Sequence, residues 1–241
     1  MERKKKILLS VICISVVFIL ATAISFYLTD DNHITAILTG SSYKNVVLGQ
    51  NATGSVTREG PYGNVSSPVK IAYIVGVHPR ESIAHQAVMQ SIKEQSKSLK
   101  YCYYIYRVNV TMNASDYEVG RMNGQLLANK YAVPDIMKQK FNLVVDVHDN
   151  AGNWEESRFI FSPVNGTRAE NISYEITDKL SWLKYYVPPD ATSPPYVTIP
   201  INQANIPAVV YETYDKDSYS VIKEHATEFI KTVDSLQIIK S

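Results

Sequence analysis

The chain alternates strand-length apolar runs with segments of helical spacing, and three of the runs lead into a residue that binds metal or moves protons. IAYIVGV (71–77) meets His78, FNLVVDV (141–147) meets His148, and PAVVY (207–211) meets Glu212. Runs this apolar suit strands buried on both faces, as happens when helices cover both sides of a parallel sheet. The alternation predicts an α/β fold, with a mostly parallel or mixed sheet and helices on both faces. Such a sheet presents its chemistry at the carboxyl ends of its strands.

The expected strands are 69–77, 101–110, 141–147, 157–163 and 207–211, with helices at about 82–97, 172–186 and 218–236. Residues 120–131 read as helix or loop, and the Pro-rich 188–200 as a loop that rims the site. Residues 29–68 are polar and carry turn residues, so they read as a stalk with a short strand at 45–49. The folded domain is therefore expected over 69–241, long enough for one substantial core.

His78-Pro-Arg-Glu81 lies where a strand stops and a helix begins, so His78 and Glu81 sit about one helical turn apart. The pair by itself also suits a solvated helix start, where a carboxylate is favourable. Glu212 is sharper, because a carboxylate at the end of a buried strand is costly unless paired, hydrated or functional. Two histidines and one glutamate make a zinc triad with an open fourth position. The reading is one zinc per chain held by His78, Glu81 and His148, with Glu212 as general base on a water.

These residues resemble the zinc carboxypeptidase superfamily, which includes metallocarboxypeptidases and the succinylglutamate desuccinylase/aspartoacylase deacylases. Its members bind zinc through His-x-x-Glu and one distant His, with a late Glu as base. His78-Pro-Arg-Glu81 is similar to the carboxypeptidase version, and Asp146-Val-His148 to the Asp-Leu-His of the deacylases. The resemblance covers about residues 69–236 and implies a hydrolase of peptide or amide bonds.

One departure concerns the substrate. The family's Asn-Arg dipeptide, which grips a carboxylate, is absent; GRMNGQ offers Arg121 and Asn123 instead. Arg121 either clamps a carboxylate or steadies an oxyanion, or it is a surface arginine at a helix start. Arg80 is a further candidate contact or an exposed turn residue. His85 reads as a supporting group or a packed helix histidine, and Asp146 as the partner of His148 or a packed strand-end residue. His33 and His225 receive no role.

The N-terminus carries a separate signal. MERKKK precedes a 22-residue apolar stretch ending at Leu28, about the length that crosses a bilayer, with the basic cluster inside. The readings are an uncleaved signal anchor over 1–28 or a signal peptide cleaved after Ala23. The apolar run continues past Ala23, which favours the anchor. Sequons at Asn51, Asn64, Asn109, Asn113, Asn165 and Asn171 agree with export. Cys13 and Cys102 fall in separate segments and are not expected to pair.

A net charge of +1 gives no electrostatic case for nucleic acid. The expected activity is an extracytoplasmic zinc carboxypeptidase or N-acyl amino acid deacylase, single-pass in the cell membrane or secreted. Its expected partner is a small peptide or N-acyl amino acid substrate, with export favouring a cell-envelope source. The alternative is an inactive surface binding or adhesion module on the same scaffold.

Overall fold

The computed structural model describes residues 44–238. The segment expected to span the membrane lies outside the described residues; among those described, no helix is long and apolar enough to cross a bilayer.

One mixed sheet of eight strands runs in the order β1-β2-β4-β3-β5-β8-β6-β7. The strands are β1 Val46–Asn51, β2 Gly54–Gly63, β3 Lys70–Val75, β4 Cys102–Val110, β5 Leu143–Asn150, β6 Phe159–Phe161, β7 Lys184–Tyr185 and β8 Ala208–Tyr214. The helices are α1 Ser82–Gln95, α2 Tyr117–Leu127, α3 Val133–Gln139, α4 Arg168–Thr177, α5 Thr198–Gln203 and α6 Tyr219–Ser235, with a π-helical turn at Ala128–Ala132 between α2 and α3. The central strands β4, β3, β5 and β8 are parallel; β2 and β6 flank them antiparallel.

Strand alternation divides the core. Ile71 and Tyr73 of β3, Leu143 and Val145 of β5, and Tyr211 of β8 pack against α1, α4 and α6. Ala72, Ile74, Val144 and Ala208 point the other way, toward α2, the π turn, α3 and α5. Every residue of β5 is buried, as expected for a central strand with helices on both faces.

Three expectations need correction. The short strand expected at 45–49 is β1, but the stalk reading of 29–68 fails over 46–63, where β1 forms a hairpin with β2 and β2 pairs with β4. The turn-like segment 58–63 (REGPYG) lies within β2, where the register shifts between Glu59 and Tyr62 while Val56 and Tyr62 stay buried. The helix expected at 172–186 ends at Thr177 and begins earlier, with Thr167 accepting from Glu170 N as its cap. Ile172, Ile176, Leu180 and Leu183 do bury together as a helical pattern would, but a turn delivers the last two. The strands carrying His148 and Glu212 also run beyond those residues, so both side chains project from within strands.

Candidate metal centre

Strand β3 ends at Val75 and hands the chain to α1 through Gly76-Val77-His78-Pro79-Arg80-Glu81. Gly76 has φ +87°, and a Cβ there would lie 2.0 Å from the Val108 carbonyl oxygen. Only glycine makes this turn so close to β4. Glu81 occupies the N-cap of α1 without capping it; Asp149 reaches across from β5 instead, its Oδ2 accepting from Ala84 N at 3.4 Å. The Glu81 carboxylate is thereby left for the site.

Both histidines turn Nδ1 toward that carboxylate. His78 Nδ1 lies 2.9 Å from Glu81 Oε1, and His148 Nδ1 lies 2.8 Å from Oε2. One ligand atom from each of the three residues lies within 4.8 Å of the other two, and all three residues are buried. The donor set, two imidazole nitrogens and a carboxylate oxygen beside a cavity, fits a zinc ion with a position open to water or substrate. The structure brings His78, Glu81 and His148 together as one cluster.

The cluster's own charges set its protonation. Burial alone would raise the Glu81 carboxyl, but attraction to His78 and His148 holds it well below the usual carboxylate range. Burial lowers His78 to about 4 despite Glu81. His148 goes the other way: burial opposes its charge, but Asp146 and Glu81 raise it well above the ordinary value. Asp146 Oδ2 lies 3.0 Å from His148 Nε2, an electrostatic contact out of line for a hydrogen bond.

Glu212 faces the same cavity, whose volume is about 510 Å³. Burial raises its carboxyl to about 8, against the pull of His148. Asn150 Nδ2 donates to its Oε2 at 3.3 Å. Arg121 also belongs to the site rather than to open surface. Its Nη2 donates to Glu81 Oε1 at 3.0 Å, and its guanidinium lies 4.6 Å from the Tyr117 ring centroid. Gly124 makes this possible, because a Cβ there would lie 1.9 Å from the Val77 carbonyl oxygen. The bare helix face lets α2 lie against the turn that carries His78.

Arg80 is exposed at the cavity mouth, with its guanidinium 5.6 Å from the Tyr117 ring centroid. Asn123 donates to Met112 O and does not line the cavity. His85 is buried and bonds the Val147 carbonyl at 3.1 Å, bracing the strand beside His148. His225 stacks on Trp182, and His33 lies outside the described residues. The Pro-rich segment does rim the cavity through Asp190 to Ser193, and Trp154 Nε1 donates to Asp190 Oδ1 at 2.6 Å across the rim.

Sequence reasoning missed Gln125, Thr192 and Ser193. Gln125 Nε2 lies 3.1 Å from His78 Nε2 and donates to Thr192 Oγ1 at 2.9 Å. Ser193 Oγ donates to Asp146 Oδ2 at 3.0 Å. A glutamine inside a helix pattern and two hydroxyls in a loop carry no local signature; their role comes from three distant segments meeting.

No protein-family model and no curated protein matches the chain. Solved structures do. A metallo-carboxypeptidase from Pseudomonas aeruginosa, in complex with (2-guanidinoethylmercapto)succinic acid, superposes with a TM-score of 0.55 at 14% identity, over 85% of this chain and 68% of that one. A metallo-carboxypeptidase from Burkholderia cenocepacia gives 0.55 at 12% identity, over 80% and 64%. An aspartoacylase family protein from Mesorhizobium loti gives 0.50 at 11% identity, over 79% and 66%. The chain thus spans about two thirds of the length of each. With its buried His78, Glu81 and His148 cluster, the chain has the zinc carboxypeptidase-like fold shared by these metallo-carboxypeptidase and aspartoacylase structures.

Proposed function

We propose that the chain is a zinc-dependent amide hydrolase of carboxypeptidase or N-acyl amino acid deacylase type. The observation that carries this is the buried cluster of His78, Glu81 and His148, with the buried carboxyl of Glu212 in the cavity that His78 and Glu81 line. A zinc held by the three ligands supplies a Lewis acid that acidifies water and polarises a carbonyl. Glu212 takes a proton from the attacking water and returns it to the leaving amine. Arg121, with Nη2 on Glu81, presents its guanidinium at the cavity wall and steadies the oxyanion that develops on the substrate.

Arg80 selects the substrate. It makes no ion pair or hydrogen bond among the described residues, stands exposed at the cavity mouth and pairs with a substrate carboxylate there. The substrate is a small peptide or N-acyl amino acid. A binding module without catalysis has no use for a buried carboxyl at position 212, which the hydrolase reading explains.

The site works outside the cytoplasm in this reading, with the N-terminal apolar segment as membrane anchor or cleaved signal. The basic-then-apolar N-terminus supports this. So does the exposure of all six sequon asparagines, which leaves room for glycans.

The deciding experiment incubates the zinc-loaded protein with blocked dipeptides and N-acyl amino acids, each with a free or amidated carboxyl end. Zinc-dependent release of the free-carboxyl products, lost in Glu212→Gln, supports the proposal. Zinc bound without turnover of either class sinks it in favour of the binding module.

A further inference from the structure

Behind the candidate ligands lies a layer of hydrogen bonds that converges on one dipeptide. Gln125 is 1% exposed; its amide reaches His78 Nε2 at 3.1 Å and Thr192 Oγ1 at 2.9 Å. Asp146 is wholly buried; it lies 3.0 Å from His148 Nε2 and accepts from Ser193 Oγ at 3.0 Å. Arg121 donates through Nη2 to Glu81 and through Nη1 to Thr192 Oγ1, at 3.0 and 3.4 Å. Adjacent residues of the Pro-rich loop therefore touch a partner of each candidate ligand.

The two histidines have different partners behind them. A neutral imidazole that ligates through Nδ1 keeps its proton on Nε2 and requires an acceptor there. The carboxylate of Asp146 only accepts. Gln125 can offer either an NH2 group or an oxygen from the same volume, by turning its amide over. In the arrangement present, the NH2 group faces both His78 Nε2 and Thr192 Oγ1. That polarity suits His78 with its proton on Nδ1, donating to Glu81 Oε1 at 2.9 Å. It does not suit a metal on Nδ1.

We propose that Gln125 is a positioning residue for the metal centre, turning its amide on metal loading so that Oε1 accepts from His78 Nε2–H and from Thr192 Oγ–H. This rests on the zinc reading above. The reversed chain is self-consistent, since an amide oxygen accepts two hydrogen bonds and Thr192 Oγ1 still accepts from Arg121 Nη1. Thr192 holds the acceptor behind His78, while Ser193 holds the carboxylate that lies against His148. Gln125 thus fixes the ligating form of His78, and the loop fixes Gln125.

The test titrates zinc against a competing chromophoric chelator for the wild-type protein, Gln125→Met, Gln125→Glu and Thr192→Val. Metal-free melting temperatures are recorded alongside, with ¹⁵N NMR of the histidine rings. Gln125→Met, which fills the space without an acceptor, is expected to weaken zinc about 10–100-fold. Gln125→Glu accepts at the same place and should hold zinc within about threefold of wild type, well inside that loss. In the wild type, the His78 ring proton should move from Nδ1 to Nε2 on zinc binding.

Equal zinc affinity for Gln125→Met and wild type would overturn the assignment. So would equal losses in the Met and Glu variants with unchanged metal-free melting. If Gln125→Met melts early without metal, Thr192→Val decides: weaker zinc supports the relay and unchanged zinc refutes it. A wild-type protein that binds no zinc refutes the hydrolase reading itself; zinc bound normally by wild type and Gln125→Met alike refutes only the role of Gln125.

Discussion

His148 and Glu212 are register partners on the neighbouring parallel strands β5 and β8. Partners in register project from the same face of a sheet. One candidate ligand and the candidate base are therefore brought side by side by backbone pairing, before any loop is placed. Asp146, two residues before His148, leaves by the same face and supplies the charge behind it.

Glu212→Gln should remove turnover while leaving zinc in place. A positioned general base contributes about 10²–10⁴-fold, so kcat should fall by at least about 10²-fold. Steady-state kinetics beside metal analysis of the same sample checks both halves. Normal kcat in the variant would strip Glu212 of its role.

Removing the metal should reveal its contribution to stability as well as to chemistry. Chelation should abolish hydrolysis, restore it on adding zinc, and lower the melting temperature, because a ligand bound only by the native state stabilises it. His148→Ala should lose zinc, and its melting temperature should no longer respond to chelator. A chelator response equal to wild type would place the metal elsewhere.

The raised Glu212 carboxyl makes a prediction about the metal-free protein. Burial lifts it to about 8 in the fold, whereas an unfolded glutamate titrates near about 4.3. Between those values the native state holds a proton that the unfolded state has released. Stability contributed by this group is therefore full below the unfolded value and falls as pH rises through the window. Melting temperature of the chelated wild type should drop more steeply across that range than that of Glu212→Gln. Parallel curves would show Glu212 ionised in the metal-free fold.

Arg80→Ala should act on binding. The side chain is exposed and outside the metal cluster, so kcat should stay within about twofold while KM for free-carboxyl substrates rises about 10-fold, the signature of lost ground-state binding. Amidated substrates should show no change. An equal rise for both would mean Arg80 does not read the carboxylate.

Gly124→Ala should weaken stability and zinc affinity together. The added Cβ would stand 1.9 Å from a backbone oxygen of Val77, which cannot rotate away. Overpacking of this kind costs about 1–3 kcal/mol, and relief by shifting α2 carries Gln125 away from His78. Urea unfolding and zinc titration of the same variant check the coupling. A stability loss with unchanged zinc affinity would separate the two.

Much of this was legible in the chain because it is local. Nearly unbroken apolar runs marked β3, β5 and β8, and of the residues closing them His78 and Glu212 line the cavity while His148 joins His78 in the buried cluster. The hairpin of β1 and β2 was not legible, because its apolar residues are diluted by glycine and proline and its partner strand β4 is far along the chain. The end of α4 was hidden for a related reason: burial at helical spacing continued into a turn.

By itself the sequence determined the strand-and-helix alternation and the residue types at the strand ends, since periodicity and ligand chemistry are written in neighbouring positions. Only the tertiary structure decided that Arg121 turns to Glu81, that Asp149 caps α1, and that Gln125 meets His78 and Thr192. Those contacts join α2, the β5 end and the Pro-rich loop. They depend on a backbone approach at Gly124 and on strand register, which no single stretch of residues encodes.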